Sequence, residues 1–341
     1  MYMGIANIFE NQNDFAESKR ENLELQYDNP EKIKTGLGEM IEVVDIKPEN
    51  AKTDVPASYL KGFASDNRAY RNLAIDLAMN DRRVIAIDNP HGIDSEHIAE
   101  EEKIKAGRQM EKLHDIELRK TAMLLEMLDK KEIKKTDIVA HSEGAIYAVV
   151  AALMRPEKIR DIVLIEPAGI IGNDNRPSLA ARSVWDAVLQ EKNIKTMRKG
   201  KDSREKYHPD DKKSPSIIEK MGEEASKNAK MQTISWAESW KTGLGHNIGA
   251  IKAIADTDIS QALRFLREEC QIKIGIIHAV DDKIFPMEPV RENLSKDMVD
   301  GSYSTVGTHA SFTHNPGKYA KLIDDLLGGM ERKRAKNDAQ K

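Results

Sequence analysis

Short apolar runs alternate with longer amphipathic stretches along most of the chain, and Pro, Asn, Asp or Gly bound many of the runs. The runs predict strands over Met40 to Ile46, Val55 to Leu60, Val84 to Asp88, Asp137 to His141, Asp161 to Glu166, Ile272 to Val280 and Tyr303 to Val306. The amphipathic stretches predict helices over Arg68 to Met79, Ala106 to Lys130, Ala145 to Met154, Met287 to Lys296 and Pro316 to Leu327. Strands and helices in alternation make an α/β architecture, a mostly parallel central sheet flanked by helices.

One interval breaks the rhythm. Between Glu166 and Ile272 there is no convincing strand, and the composition turns to Lys, Glu, Ala and Asn, including the run EKNIKTMRKGKDSREKYHPDDKK. A structureless loop of that length is rare in a compact domain, so residues 167–271 are expected to be a helical cap insertion over the carboxyl edge of the sheet. Residues 1–39 are expected to be a polar N-terminal extension and 331–341 a charged C-terminal tail, both mobile rather than packed. The core then comprises 40–166 and 272–330.

Composition narrows the function classes. The 341 residues, 40% hydrophobic and 32% charged, suffice for a large core. A net charge of −4, with bases and acids interleaved, gives no field to gather nucleic acid or an anionic membrane surface. No run approaches a membrane span, and the start lacks the basic-then-apolar order of a signal peptide. Cys270 is the single cysteine, so no internal disulfide can form; it reads as a small half-buried side chain. These features make a cytoplasmic protein with a small-molecule partner the expectation, and they leave the oligomeric state open.

The stretch DIVAHSEGAIYAVVAAL carries the chemistry, because a buried strand ends on His141 and Ser142 and a helix follows at once. Functional loops of a parallel sheet lie at the carboxyl ends of its strands. Ala140-His141-Ser142-Glu143-Gly144 departs from Gly-x-Ser-x-Gly only at its first small residue. That pattern places a serine on a tight strand-to-helix turn, with small neighbours letting the helix pass close by. It also puts the N–H of Glu143 at a helix amino end, where an oxyanion can be stabilised. A plain helix N-cap serine is the competing reading of the pentapeptide alone.

Further segments are consistent with the first reading. From Ile41 to Leu327 the chain resembles the α/β-hydrolase superfamily, in particular its cap-bearing serine hydrolases. VPASYLKGFASDNRAYRNLA is similar to the family's oxyanion loop, with Gly62 and Phe63 in the matching places, and VIAIDNPHGIDS to the next strand and its loop. IGIIHAVDDKIFP resembles the acid strand, where an aspartate stands four residues before a proline; here these are Asp282 and Pro286. VGTHASFTHNPGKYAKLIDDLL resembles the histidine loop, with His309 seven residues before Pro316. Lys61 occupies the family's usual histidine position before the oxyanion glycine, and Ala140 that of its first elbow glycine.

The resemblance implies Ser142 as nucleophile, His309 as base, Asp282 as acid and the backbone N–H groups of Phe63 and Glu143 as oxyanion donors, with no cofactor and no metal. The implied reaction is hydrolysis of a carboxylic ester or lactone of small to medium acyl compounds through an acyl-enzyme. Carbon–carbon bond hydrolysis, acyl transfer and non-catalytic ligand reception on the same fold stand as alternatives. Glu166, at the end of the preceding strand, is the alternative acid, and Asp281 adjoins Asp282 but should face away from it. His314 competes with His309 and reads as a polar residue near a helix start; His141 should face away from Ser142 and reads as structural. His91 and His97 match no common metal-ligand spacing. Trp236 and Trp240, four apart in the insertion, are candidates to line a substrate pocket.

Overall fold

A computed structural model of the chain describes residues 3–88, 91–172, 174–186 and 243–339, with the isolated positions 189, 192, 226–227, 230–231, 234–235, 237–238 and 240–241. Its strands are β1 (Glu31–Lys34), β2 (Met40–Ile46), β3 (Ala57–Leu60), β4 (Val84–Asp88), β5 (Thr136–His141), β6 (Ile159–Ile165), β7 (Lys273–Ala279) and β8 (Gly301–Thr305). They form one sheet in the order β1-β2-β4-β3-β5-β6-β7-β8. The β1–β2 and β2–β4 pairs are antiparallel and all the others parallel. The helices are α1 (Met3–Tyr27), α2 (Asn67–Met79), α3 (Glu100–Gly107), α4 (Asp115–Lys130), α5 (Gly144–Met154), α6 (Leu244–Asp256), α7 (Ser260–Glu268), α8 (Met287–Asn293), α9 (Ser311–His314) and α10 (Pro316–Asp338).

The central strands read as continuous apolar runs because both faces are covered. Successive residues alternate between two cores: Ile138, Ile162 and Leu164 pack with α4, α5 and α7, whereas Val139, Val163 and Ile165 pack with α2 and α10. The fold is therefore a mostly parallel sheet with flanking helices, as the periodicity predicts.

Four boundaries differ from expectation, each for a physical reason. The described part of the expected extension, residues 3–39, is not loose: Leu23 and Tyr27 of α1 are buried in the second core, and β1 adds Ile33 to the sheet. Lys19 and Arg20 reach Asp81 and Asp76, each at 2.6 Å. Nor is 331–339 of the expected tail free, since α10 runs to Asp338 and its charges meet buried or half-buried partners. Arg334 pairs with Asp161 at 2.7 Å, and Glu331 meets Arg160 at 2.6 Å and Arg82 at 3.1 Å. The expected helix over 106–130 is two helices, because the Glu117 carboxylate accepts the His114 N–H and starts α4 afresh. Finally, the core resumes before Ile272, as Leu263 and Leu266 of α7 belong to the first core. Of the expected insertion, 176–186 and α6 are helical, and the charged run over 193–213 lies outside the described residues.

Candidate active site

Strand β5 ends in register with β6, His141 opposite Ile165, and the chain then turns through Ser142 at φ +52. A left-handed serine is strained, and the turn is held by bonds on both sides. The Ser142 N–H donates to Ile165 O at 3.0 Å, and its carbonyl accepts from Ala145 at 3.0 Å and Ala168 at 3.1 Å. Helix α5 starts two residues later at Gly144. A Cβ there would lie 2.6 Å from Leu60 O and 3.0 Å from Lys61 O, so only glycine lets α5 press on the end of β3. The loop after β3 lies against the turn: a Cβ on Gly62 would meet His141 Nδ1 at 2.8 Å and Ser142 Cβ at 3.0 Å.

Asp282 and His309 come from the loops after β7 and β8. Asp282 Oδ2 is 2.8 Å from His309 Nδ1, and its Oδ1 accepts the N–H of Ile284 at 2.8 Å and of Phe285 at 3.0 Å. Both residues are buried. Burial disfavours the His309 cation, but the adjacent Asp282 charge and bond, with a contribution from Asp186, outweigh it and hold the ring's pKa above its ordinary value. The acid loop is pinned again by His278, whose Nε2–H donates to Phe285 O at 2.8 Å. Asp281 is exposed, and burial drives His314 down to about 4.

His141 links the loop after β8 to the loop after β3. Its Nε2–H donates to the His309 carbonyl at 3.2 Å, which fixes the tautomer of a ring that burial, then the proximity of His309, keeps neutral. Nδ1 must then accept from the Tyr70 hydroxyl at 2.8 Å, and that same oxygen accepts the Gly62 N–H at 2.9 Å. One chain of bonds thus runs from the base loop to the loop after β3. Glu166, also left-handed at φ +40, is fully buried and accepts from the Tyr319 hydroxyl at 2.9 Å. Burial, reinforced by the Asp282 charge, raises its pKa well above the carboxylate range.

Buried charges surround this framework. Lys61 Nζ lies 2.7 Å from Asp88. Burial pulls the lysine's pKa down while Asp88 opposes the shift. Lys120 Nζ donates to Glu143 at 2.7 Å. Glu117, nearby on α4, accepts from Thr257 at 3.1 Å and is pushed up to about 7, chiefly by burial.

Of the residues singled out in the sequence, Phe63, Ser142 with Glu143, Asp282 and His309 follow the carboxyl ends of β3, β5, β7 and β8, and Asp282 and His309 are in contact. Trp240 stands edge-on to Phe63 with centroids 6.1 Å apart, whereas Trp236 lies outside the described residues. His91 stacks on His246 at 4.9 Å, and the His97 side chain is outside the described set. Sequence reasoning missed Tyr70, His278, Lys120 and Asp186. Only Tyr70 carried a hint, as an aromatic in the helix after the glycine loop. Asp186, from the segment between β6 and β7, accepts the His309 N–H at 3.3 Å.

A family model described as the alpha/beta hydrolase fold matches residues 59–298. No curated protein sequence matches the chain. Among solved structures, a carboxylesterase study of the thaumarchaeon Nitrososphaera gargenis supplies one at 15% identity and TM-score 0.55, covering 89% of this chain and 100% of that one. A thermophilic esterase from Thermogutta terrifontis is similar at 16% identity and TM-score 0.52, over 89% and 99%. A meta-cleavage product hydrolase follows at 16% and 0.50, over 88% and 98%.

Proposed function

Because the chain belongs to the alpha/beta hydrolase fold family, we propose that it is a serine hydrolase cleaving carboxylic esters or lactones of small to medium acyl compounds through an acyl-enzyme at Ser142. The observation that carries this reading is the buried Asp282–His309 pair, 2.8 Å apart, with the His309 carbonyl bonded to His141, the residue that precedes the strained Ser142 turn.

In the first half-reaction the Ser142 hydroxyl attacks the carbonyl carbon and its proton passes to His309 Nε2. Asp282 holds Nδ1–H and stabilises the imidazolium. The oxyanion is received by the N–H groups of Phe63 and Glu143. Their neighbours are already engaged, Gly62 N–H by Tyr70 and Ser142 N–H by Ile165, which leaves these two at the mouth of the turn. Collapse expels the alkoxide, which takes the proton from His309. Water then attacks the acyl-enzyme, giving one proton to His309, which returns it to Ser142 Oγ as the carboxylic acid leaves.

The acyl group would lie where Phe63 packs on Ile116, Ala250 and Ala253 and meets Trp240, between the core and the cap. The test is hydrolysis of a chain-length series of p-nitrophenyl esters beside Ser142→Ala, with intact mass after fluorophosphonate treatment. Turnover and a single adduct, both lost in Ser142→Ala, support the reading. Turnover that survives in the variant overturns it, and an adduct without ester turnover points to carbon–carbon bond hydrolysis instead.

A further inference from the structure

The helical segment 176–186, between β6 and β7, grips the loop that carries the acid. Arg182 and Asp186 are one turn apart, so they share a face of that segment. Arg182 Nε donates to Ile284 O at 3.0 Å, and its guanidinium also pairs with Asp174. Asp186 Oδ1 accepts two backbone N–H groups, Lys283 at 3.1 Å and His309 at 3.3 Å. One carboxylate oxygen therefore bridges the acid loop to the base loop. At 3% exposure it does so away from water.

A buried carboxylate is costly unless its bonds and charges compensate. Burial raises the pKa of Asp186, and the Asp282 charge adds to this, while His309 and the two N–H bonds oppose it. His309 is faced by Asp282, Asp186 and the rings of His141 and Phe285, and it interacts with His278. Asp186 in turn is faced by Asp282, His309 and Glu166. Burial disfavours the His309 cation, and the Asp186 charge favours it alongside Asp282.

Resting on the serine-hydrolase reading, we propose that Asp186 is a positioning residue for His309. Delivered from outside the sheet, it clasps the acid and base loops into one unit, so the placement of segment 176–186 and the competence of the base are coupled. Asp186 touches no reacting atom; it acts through the His309 backbone and through its charge.

The test compares full-length Asp186→Asn and Asp186→Ala with wild type. Two quantities are read: the pH dependence of kcat/KM on a p-nitrophenyl ester, and the titration of ring nitrogens in 15N-histidine protein by NMR. Asp186→Asn keeps an acceptor oxygen and removes the charge. It should move the acid limb and the His309 titration down together by about 0.5–1 pH unit. Asp186→Ala should also lower kcat roughly tenfold or more with little change in KM, because the base is misplaced rather than the substrate site. Val184→Ser, on the exposed side of the same segment, should change neither quantity. An unshifted His309 titration in Asp186→Asn, or an unchanged kcat in Asp186→Ala, overturns the proposal. A wild type inert to esters and to fluorophosphonate overturns the serine-hydrolase reading instead, while the NMR titration still decides whether Asp186 acts on His309.

Discussion

Asp282 and His309 meet through one carboxylate oxygen only: Oδ2 lies 2.8 Å from Nδ1, while Oδ1 is taken by the N–H groups of Ile284 and Phe285. The acid is thereby fixed in orientation before the histidine reaches it, and the bond to Nδ1 leaves Nε2 as the nitrogen available for proton transfer. Asp282→Asn can present an amide to Nδ1 and favour the wrong tautomer. It should lower kcat on a p-nitrophenyl ester by about 10³–10⁴-fold. Glu166 should not substitute, because it is bonded to Tyr319 and burial disfavours its ionised form. Steady-state kinetics of Asp282→Asn with and without Glu166→Gln check this; a further large loss in the double variant would assign Glu166 a share of the acid's role.

The same pair sets the pH dependence. His309 must be neutral to take a proton, and its pKa lies above the ordinary 6.5. The acid limb of kcat/KM should therefore have its midpoint above about 6.5, since that limb reports the free enzyme's base. The stability consequence has the opposite sign. A histidine whose folded pKa is raised contributes stability that is fully present below its unfolded pKa and fades as pH rises through the folded one. Activity should thus climb across the window in which this contribution is lost. A midpoint below 6 for the wild type would contradict the arrangement.

Much of this candidate site could be proposed from sequence because its signals are local. Ser142 and Gly144 stand two apart on one turn, and Asp282 and His309 each precede a proline at a readable spacing. The strands were legible because fully buried strands are apolar throughout. What escaped depends on contacts distant in sequence or on atypical caps. Asp186 meets His309 across 123 positions. Helix α1 offers mostly polar residues, and among its described side chains burial is concentrated at Leu23 and Tyr27. The tail is ordered by ion pairs to Asp161 and Arg160, which a count of charges cannot distinguish from solvated ones. The start of α4 was hidden because His114, not Ser, Thr, Asp or Asn, occupies its cap and Glu117 closes on the backbone.

Lys61, standing where the resembling family has histidine, braces the loop after β3 by charge. It is 2.7 Å from Asp88, whose other oxygen accepts the Asn67 N–H at the start of α2. Lys61→Met would leave Asp88 largely buried without its cation, which should cost roughly 3 kcal/mol in urea unfolding. Lys61→Met combined with Asp88→Asn should recover part of that loss, since the uncompensated charge is gone. A single variant as stable as wild type would mean that solvent already screens the pair.

Glu117 supplies a stability signature separate from catalysis. It is fully buried on α4, with a pKa pushed up to about 7, chiefly by burial, against an ordinary 4.5. A folded-state pKa above the unfolded one means that the folded protein holds the proton longer. Stability should therefore fall as pH rises from about 4.5 through 7, by up to roughly 3 kcal/mol at 1.36 kcal/mol per unit. Glu117→Gln removes that titration and can keep both bonds. The amide oxygen can accept the His114 N–H, and the amide nitrogen can donate to the Thr257 hydroxyl, the two partners Glu117 holds at 3.0 and 3.1 Å. The variant should match wild type near pH 5 and exceed it by about 1–3 kcal/mol at pH 8. Urea midpoints at both values read the difference. A variant less stable than wild type at pH 8 would instead show that the ionised carboxylate, near Lys120, is itself stabilising.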